Sequence, residues 1–220
     1  MFSEIELGFL VDGSASVKFY GEENFHLIKE AMKSFVRSFN VSSAKTRVAV
    51  VVYSTNSTVA FTLNQYSSVG DIEEAIDNIT YPSGGTYTGQ ALNDAANILF
   101  SNETVRGNVS KALVVITDGV STDDVTGPAA LVNETGVKTY VIGIGQNFDR
   151  PQLLQIAHNV PDHVFQAEFN SLQMAFNGVR ETICLGDNFF YMQLLFTSIL
   201  FLDIYLTINK EFIFFFSLFF

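Results

Sequence analysis

The stretch Asp12-Gly13-Ser14-Ala15-Ser16 directly follows an apolar run at residues 5–11. An apolar run that ends in a carboxylate and two hydroxyls is typical of a buried strand whose end presents oxygen ligands from a single turn. Hard oxygen ligands without nitrogen or sulfur suit Mg²⁺, Mn²⁺ or Ca²⁺ rather than zinc or copper. Asp-Gly-Ser is also ordinary turn chemistry, so a helix-capping Asx turn is the alternative interpretation of this stretch alone.

Two later segments add polar side chains at similar places. Ser83-Gly84-Gly85-Thr86-Tyr87-Thr88-Gly89 places hydroxyls in a glycine-rich loop just before a helix-like stretch at 90–99. A buried-strand run at 112–116 ends in Thr117-Asp118-Gly119, which supplies a second carboxylate. Ligands of open parallel sheets bind outside the carboxyl ends of the strands. We therefore expect these segments to converge on one point.

Short apolar runs alternate with amphipathic stretches along most of the chain, a pattern typical of repeated strand–helix units. Strands are predicted at residues 5–11, 46–53, 58–62, 112–116, 137–143 and 163–166. Helices are predicted at residues 25–39, 69–79, 90–99, 128–133, 151–157 and 171–182. Near-continuous apolar strands are typical of parallel sheets buried on both faces. The predicted fold is α/β: a Rossmann-like, doubly wound, mostly parallel sheet with one antiparallel edge strand, at 58–62, and helices on both faces.

In this order and spacing the polar segments resemble the von Willebrand factor type A (VWA) family with its metal-ion-dependent adhesion site. The family pattern is Asp-x-Ser-x-Ser, followed by a Thr and then by an Asp. It maps onto five candidate metal ligands: Asp12, Ser14, Ser16, Thr86 and Asp118. Thr86 is the match, rather than Thr88, because it directly follows the Gly-Gly pair. The resemblance covers roughly residues 4–184, which we interpret as one domain most similar to matrix modules of the matrilin and collagen-associated kind.

The resemblance implies a binding module in which a divalent cation, Mg²⁺ or else Mn²⁺ or Ca²⁺, joins two proteins. The three hydroxyls would supply neutral oxygens, and the two carboxylates would balance the charge directly or through water. The remaining coordination position would accept an acidic side chain of an extracellular matrix or cell-surface protein. Tyr87, Val120 and Asp123 are candidates for the rim that contacts this ligand, with a merely solvated loop as the alternative. A structural interaction domain with an idle metal site is the alternative function.

Composition and motifs argue against several other functions. The chain has 12 basic and 23 acidic residues, a net charge of −11, whereas nucleic-acid binding needs a basic face. Gly143-Ile144-Gly145 does not indicate a nucleotide site, because Phe148 occupies the third glycine position of the dinucleotide fingerprint. The histidines, His26, His158 and His163, are predicted to lie away from the strand ends. No catalytic grouping can be assembled from the sequence, so we expect no enzyme.

Six Asn-x-Ser/Thr sequences are candidate glycosylation sites: Asn40, Asn56, Asn78, Asn102, Asn108 and Asn133. Each falls in a predicted loop or at the end of a predicted element, where such acceptors have to lie. Four of them (Asn40, Asn102, Asn108 and Asn133) fall in helix-to-strand connections, at the edge of the sheet opposite the metal site. We expect a secreted, extracellular-matrix location, with membrane anchoring of an extracellular domain as the alternative.

The composition changes abruptly after Cys184, the one cysteine of the chain. Cysteines flank the domain in related matrix modules, so Cys184 resembles the second of such a pair, and we expect the natural chain to begin upstream of Met1. Residues 185–220 form a hydrophobic, Phe-rich tail. Its segment 189–208 is long enough as a helix to span a bilayer core, despite Asp203. A membrane anchor and a non-native C-terminal extension are the two interpretations.

Overall fold

The computed structural model describes residues 4–19 and 21–185, which include a six-stranded sheet. Its strands are β1 (Ile5–Asp12), β2 (Thr46–Tyr53), β3 (Ser57–Phe61), β4 (Ser110–Thr117), β5 (Lys138–Ile144) and β6 (Val164–Ala167). The strand order is β3-β2-β1-β4-β5-β6, and only the β2–β3 pair is antiparallel. The mostly parallel sheet with an antiparallel edge strand is therefore confirmed.

Helices fill the connections between these strands. They are α1 (Ala15–Phe19), α2 (Asn24–Arg37), α3 (Val69–Asp77), α4 (Thr88–Asp94), α5 (Thr126–Glu134), α6 (Arg150–Ile156) and α7 (Leu172–Leu185). A π-helical segment, Ala95–Leu99, continues α4. Two differences from the sequence prediction stand out: α1 was not predicted, since five residues show no periodicity, and α5 begins before Pro128 rather than at it.

Both faces of the sheet are covered by helices, as predicted for a doubly wound fold. On one face, side chains such as Leu10 and Val115 pack against α4, α5 and α6. On the other face, the ring of Phe9 lies 6.0 Å from that of Phe35 in α2 and 6.4 Å from that of Phe176 in α7. Phe9 and Leu10 are consecutive, so they point to opposite faces of the strand.

α3 runs antiparallel to α2 and carries the chain back toward the carboxyl ends of the parallel strands. Arg37, in the last turn of α2, lies 2.5 Å from the carboxylate of Glu73, near the middle of α3. Phe25, at the start of α2, contacts Tyr81, which follows α3, with 5.2 Å between ring centroids. Residues 78–82 therefore run along the side of the sheet toward the loop that contains Thr86.

A buried carboxylate is neutralised at the amino ends of β1 and β2. Glu6 is fully buried, and Arg47 donates to it from Nε at 2.8 Å and from Nη2 at 2.5 Å. Arg106 donates from its Nε to the same carboxylate at 2.8 Å. Burial alone would raise the pKa of Glu6, but hydrogen bonds from both arginines outweigh burial and hold the pKa below its usual value. We call these three residues the amino-edge cluster.

Within residues 4–19 and 21–185, no helix is long and apolar enough to cross a bilayer. The described residues up to Glu181 belong to the compact unit that carries the sheet, and α7 ends at Leu185. Cys184 lies in the last turn of that helix and is exposed. The tail after residue 185, with its two interpretations, lies outside the described residues, so the predicted division at 184 remains a prediction.

Candidate metal centre

The carboxyl ends of β1 and β4 place two aspartates next to each other. Asp12 is the last residue of β1, and Asp118 directly follows the last residue of β4. These strands are parallel neighbours, so they end at the same edge of the sheet. Both residues are buried, with 0% of Asp12 and 4% of Asp118 exposed. The sheet alone therefore brings together two acidic residues that lie far apart in sequence.

Ser14 and Ser16 connect these carboxylates through one backbone N–H and two hydroxyls. Asp12 Oδ1 accepts a hydrogen bond from the backbone N–H of Ser14 at 2.8 Å. The Oγ atoms of Ser14 and Ser16 lie 2.9 Å apart, and Ser16 Oγ donates to Asp118 Oδ1 at 2.8 Å. Because Ser16 gives its single proton to Asp118, Ser14 is the donor in the bond between the two serines. Asp12 at the end of β1 is thus linked to Asp118 after β4 through the backbone N–H of Ser14 and the hydroxyls of Ser14 and Ser16.

Thr117 was missed by sequence reasoning, although it holds the second oxygen of Asp12. Its Oγ1 donates to Asp12 Oδ2 at 2.7 Å, and its side chain is buried. The available signal was its position, since Thr117 is the last residue of β4 and directly precedes Asp118. A hydroxyl at the end of a strand next to β1 can reach a carboxylate at the end of β1.

The glycine-rich loop is tied to the Asp12–Ser16 turn by two hydrogen bonds. The backbone N–H of Ala15 donates to the carbonyl of Gly84 at 2.9 Å. Tyr81 Oη donates to the carbonyl of Ser14 at 2.7 Å. These bonds hold the loop over the carboxyl end of β1. The sequence predicts that this loop converges with the ends of β1 and β4.

Thr86 lies beside the serines, whereas Thr88 faces the interior. A methyl group at Gly119 would be 3.6 Å from Thr86 Oγ1 and 3.8 Å from Ser16 Oγ, so both hydroxyls are near this glycine. Thr88 is buried, and its hydroxyl donates to Tyr53 Oη at 3.4 Å. The five candidate ligands are thus grouped at one edge, and the geometry favours Thr86 over Thr88.

Among residues 4–19 and 21–185, no basic side chain forms an ion pair with the two aspartates of this edge. Burial raises the pKa of Asp12 to about 6, against hydrogen bonds from Ser14 and Thr117, and the charge of Asp118 adds to the increase. Burial also raises the pKa of Asp118.

The residues that are present fit a hard divalent cation. Two carboxylates and three hydroxyls form a donor set of oxygen only, which suits such ions. Asp118 Oδ2 is buried without a hydrogen-bond partner and is available as a ligand. No group of three His, Cys, Asp or Glu side chains among residues 4–19 and 21–185 could hold a metal. Hydroxyls would therefore have to supply part of any coordination shell here.

The three candidates for the rim differ in their surroundings. Val120 is 49% exposed, and Tyr87 is half-buried directly before α4. The carboxylate of Asp123 accepts from the backbone N–H groups of Gly89 and Gln90, at 2.9 Å and 2.8 Å. Asp123 thus fixes the loop at residues 120–124 to the first turn of α4. Contact of these side chains with a ligand remains a prediction.

A cavity of about 340 Å³ lies beside β3 and includes none of the five candidate ligands. Its lining includes Val52, Thr58, Tyr66, Asn78 and Pro82. A methyl group at Gly13 would lie 2.6 Å from the ring of Pro82, so the loop containing this proline packs tightly against the Asp12–Ser16 turn. Only glycine fits at position 13 without a shift of that loop.

Two of the three histidines lie away from the oxygen ligands. His163 is buried, with Nδ1 3.1 Å from the carbonyl oxygen of Thr139, and His158 Nε2 lies 3.1 Å from Thr139 Oγ1. Thr139 is near the amino end of β5, at the opposite edge of the sheet. His26 is an exposed residue in the first turn of α2. His158 and His163 therefore lie at the edge opposite the five candidate ligands.

Comparison with known proteins assigns the family. Residues 6–177 match the model of the von Willebrand factor type A domain. The chain is 37% identical over 177 residues to the collagen alpha-4(VI) chain of Mus musculus, covering 80% of this chain and 7% of that protein. It is 35% identical over 184 residues to vitrin of Homo sapiens, covering 83% and 26%. Matrilin-1 of Gallus gallus is 33% identical over 189 residues, covering 84% and 38%. The chain therefore spans less than two thirds of the length of each of these relatives.

Solved structures show the same architecture. Proximal thread matrix protein 1 from the mussel byssus, with a zinc-occupied MIDAS motif, superposes with a TM-score of 0.77 at 30% identity, over 83% of this chain and 46% of that one. A second crystal form of that protein gives a TM-score of 0.76 at 26% identity, over 80% and 47%. Its MIDAS, the metal-ion-dependent adhesion site, holds zinc in one structure, so the expectation of Mg²⁺ here remains a prediction.

The relatives found are secreted extracellular-matrix proteins rather than enzymes. The expected extracellular location is thereby confirmed. The family match covers most of the chain, and the fold and strand order agree with it. The chain therefore belongs to the von Willebrand factor type A family, with close similarity to the domains of collagen VI, vitrin and matrilin.

Proposed function

We propose that this domain binds an acidic side chain of another extracellular-matrix protein through a divalent cation. The proposed ligands of the cation are Asp12, Ser14, Ser16, Thr86 and Asp118. Mg²⁺ is the cation that we propose, with Mn²⁺ or Ca²⁺ as substitutes, because all five side chains offer hard oxygen atoms. The matrix proteins among the relatives, and the metal-occupied motif in one of them, support this proposal.

The buried Oδ2 atom of Asp118 is the observation that carries the proposal. It has no hydrogen-bond partner within the part of the chain that the structure describes, although the other oxygen of the same carboxylate accepts from Ser16. Leaving a buried polar atom unsatisfied costs about 1–3 kcal/mol, so such atoms are rare without a reason. A ligand from outside the chain that carries positive charge would satisfy this oxygen and offset the two carboxylates.

The hydroxyls and carboxylates would have separate roles. Ser14, Ser16 and Thr86 contribute neutral oxygens, which leave a bound cation more of its positive charge than a shell made only of carboxylates would. Asp12 is held by the Ser14 N–H and by Thr117, so its carboxylate is oriented before any ion arrives. When bound, the cation supplies the positive charge that attracts the carboxylate of a partner protein.

The rim would then contribute to the choice of partner. Val120 offers an exposed apolar contact directly after the Asp118-Gly119 pair. Tyr87, directly after Thr86, adds an aromatic side chain at the glycine-rich loop. Asp123 would act mainly by holding the 120–124 loop in place. The proposed partner is a protein, since the net charge of −11 disfavours nucleic acid and Phe148 occupies the third glycine position of the dinucleotide fingerprint.

Two measurements test the proposal. Calorimetric titration with Mn²⁺ alone should show one site, and Asp118→Ala should abolish it. Binding of the secreted domain to immobilised collagen VI should occur in Mg²⁺ and be lost in EDTA. Asp162→Ala is the matched control, because Asp162 is an exposed carboxylate outside the proposed ligand set, and it should change neither result.

A different result would favour the alternative function. If the domain binds collagen VI equally well in EDTA, and Asp118→Ala leaves that binding intact, the adhesion-site mechanism is wrong. The domain would then be a structural interaction module whose metal site is idle and which binds through other surfaces.

A further inference from the structure

The candidate glycosylation sites are divided unequally between the two edges of the sheet. All six asparagines are exposed. Four of them lie where helices return to strands, at the amino edge: Asn40, Asn102, Asn108 and Asn133. Asn56 and Asn78 differ because they flank the chain segment that contains β3, the strand that runs in the opposite direction.

Asn56 lies at the edge that carries the candidate metal centre. It belongs to the turn between β2 and β3, directly after the carboxyl end of β2. In that turn, Thr55 Oγ1 accepts from the backbone N–H of Gly85 at 2.9 Å, and the carbonyl of Ser54 accepts from the N–H of Tyr87 at 3.0 Å. The turn is thus hydrogen-bonded to both neighbours of the threonine among the candidate ligands.

Asn78 lies on the same side of the molecule but farther from the candidate metal centre. It directly follows α3 and borders the cavity beside β3. Three residues later, Tyr81 donates to the carbonyl of Ser14. Of the six acceptors, Asn56 is therefore the one whose own turn contacts the loop over the metal centre.

We propose that an N-linked glycan on Asn56 covers the β3 side of the metal centre and restricts partner proteins to the side of residues 120–124. The consequence for partners rests on the proposed function, since it matters only if a partner docks at this edge. An N-linked glycan is bulky and hydrated, and the exposed side chain of Asn56 can carry it without disturbing the core. Val120, on the uncovered side, remains available for contact.

Two introduced thiols measure this shielding directly. S83C and V120C, each in a C184S background, place one thiol on either side of the site. Ser83 is exposed, and a methyl group on the next residue, Gly84, would lie 2.6 Å from Thr55 Oγ1. The full chain, secreted from animal cells, is alkylated with N-ethylmaleimide or with a polyethylene-glycol maleimide. Mass spectrometry measures the alkylation rate and the occupancy of Asn56.

Asn56 should be occupied, and N56Q should increase the rate of polyethylene-glycol maleimide with the S83C thiol severalfold. The rate of the small N-ethylmaleimide, and both rates at the V120C thiol, should stay unchanged. N102Q is the matched control, because it removes an exposed acceptor at the amino edge, and it should change none of these rates.

An unmodified Asn56 would overturn this inference, as would an S83C rate that N56Q leaves unchanged. An equal increase with N102Q would also overturn it, because the shielding would not be local. None of these rates depends on a bound cation. Failure of Mn²⁺ binding in calorimetry would therefore remove the proposed function, whereas the position of the glycan would still be decided by the thiols.

Discussion

Glu6 and Asp12 lie at opposite ends of β1, and the chain compensates their charges in opposite ways. Both are fully buried. Glu6 receives hydrogen bonds from the guanidinium groups of Arg47 and Arg106. Asp12 receives them from the backbone N–H of Ser14 and the hydroxyl of Thr117, and Asp118 beside it adds a second acidic group. Burial acts on both carboxylates, yet the pKa of Glu6 is lowered and that of Asp12 is raised.

This difference separates a structural carboxylate from one that awaits a ligand. A buried ion pair that is complete within the chain needs nothing from outside, and removing one partner leaves a costly unpaired charge. Buried carboxylates surrounded by hydroxyls are the pattern expected where an external cation completes the site. The same chemical change at the two edges should therefore have opposite effects on stability.

The largest effect is expected for Glu6→Gln in the amino-edge cluster. The substitution leaves the buried guanidinium of Arg47 and the half-buried guanidinium of Arg106 without their carboxylate, which should lower the free energy of unfolding by about 3–5 kcal/mol. Urea unfolding monitored by circular dichroism measures this, and the loss should be the same in Mg²⁺ and in EDTA. Glu4→Gln is the control, because Glu4 is exposed and should contribute little. A loss that appears only in EDTA would mean that the two edges are coupled.

The second effect is a pH dependence that originates at Asp12. Its pKa is raised from 3.8 to about 6 in the folded state, so the folded domain binds this proton more tightly than the unfolded chain does. The contribution of Asp12 to stability is therefore fully present below pH 4 and is lost as the pH rises through about 6. Two pKa units correspond to about 3 kcal/mol. The pH dependence contributed by Glu6 has the opposite sign. Its lowered pKa stabilises the folded state at pH values above its ordinary pKa, and that contribution is lost on acidification.

Unfolding in EDTA between pH 4 and pH 7 isolates the Asp12 contribution when wild type is compared with Asp12→Asn. The stability of the variant relative to wild type should increase across this range. Asp162→Asn, at an exposed site, should follow the wild-type profile throughout. If the stabilities of wild type and Asp12→Asn change with pH in parallel, the ionisation of Asp12 does not lower the stability of the domain.

Mg²⁺ should increase the free energy of unfolding, because its binding would offset the unpaired carboxylates at the carboxyl edge. At a concentration one hundred times its dissociation constant, a ligand of the native state adds about 2.7 kcal/mol. Asp118→Asn should abolish this increase, and in EDTA it should be at least as stable as wild type, because it removes a buried acidic group with a raised pKa. Thermal unfolding with and without Mg²⁺ measures both quantities. Stabilisation of Asp118→Asn equal to that of wild type would place the ion elsewhere.

The sequence predicted the carboxyl edge better than the amino edge, for a physical reason. Thr46–Tyr53 was predicted with its observed bounds because a continuous apolar run is a strong signal. The sequence alone predicts that Asp12 and Asp118 lie close together, since each follows an apolar run and parallel strands end at one edge. Topology supplied their proximity without knowledge of any side-chain contact.

The amino-edge cluster carries no comparable signal. Glu6 is the one acidic residue within the apolar run at residues 5–11, and an isolated acidic residue alone suggests an exposed position. Its partner Arg106 comes from an irregular loop after the π-helical segment, where neither periodicity nor spacing fixes the geometry. Thr117 was missed for a related reason, because the contact depends on the register between β1 and β4. Long-range side-chain pairing of this kind follows only from the folded coordinates.

The smallest effect is expected for Thr117→Val, which removes one hydrogen bond from Asp12 and keeps the shape of the side chain. A hydrogen bond of this kind contributes about 1 kcal/mol to stability. Because the Thr117 hydroxyl lowers the pKa of Asp12, its loss should move that pKa further upward. Carboxyl-carbon NMR titration in EDTA, assigned with Asp12→Asn, measures the change. Thr139→Val is the control, since Thr139 is equally buried but contacts His158 at the amino edge, and it should leave the Asp12 titration unchanged. If Thr117→Val also leaves it unchanged, hydroxyls do not hold the charge of Asp12, and the contrast with the arginine-bound Glu6 loses its basis.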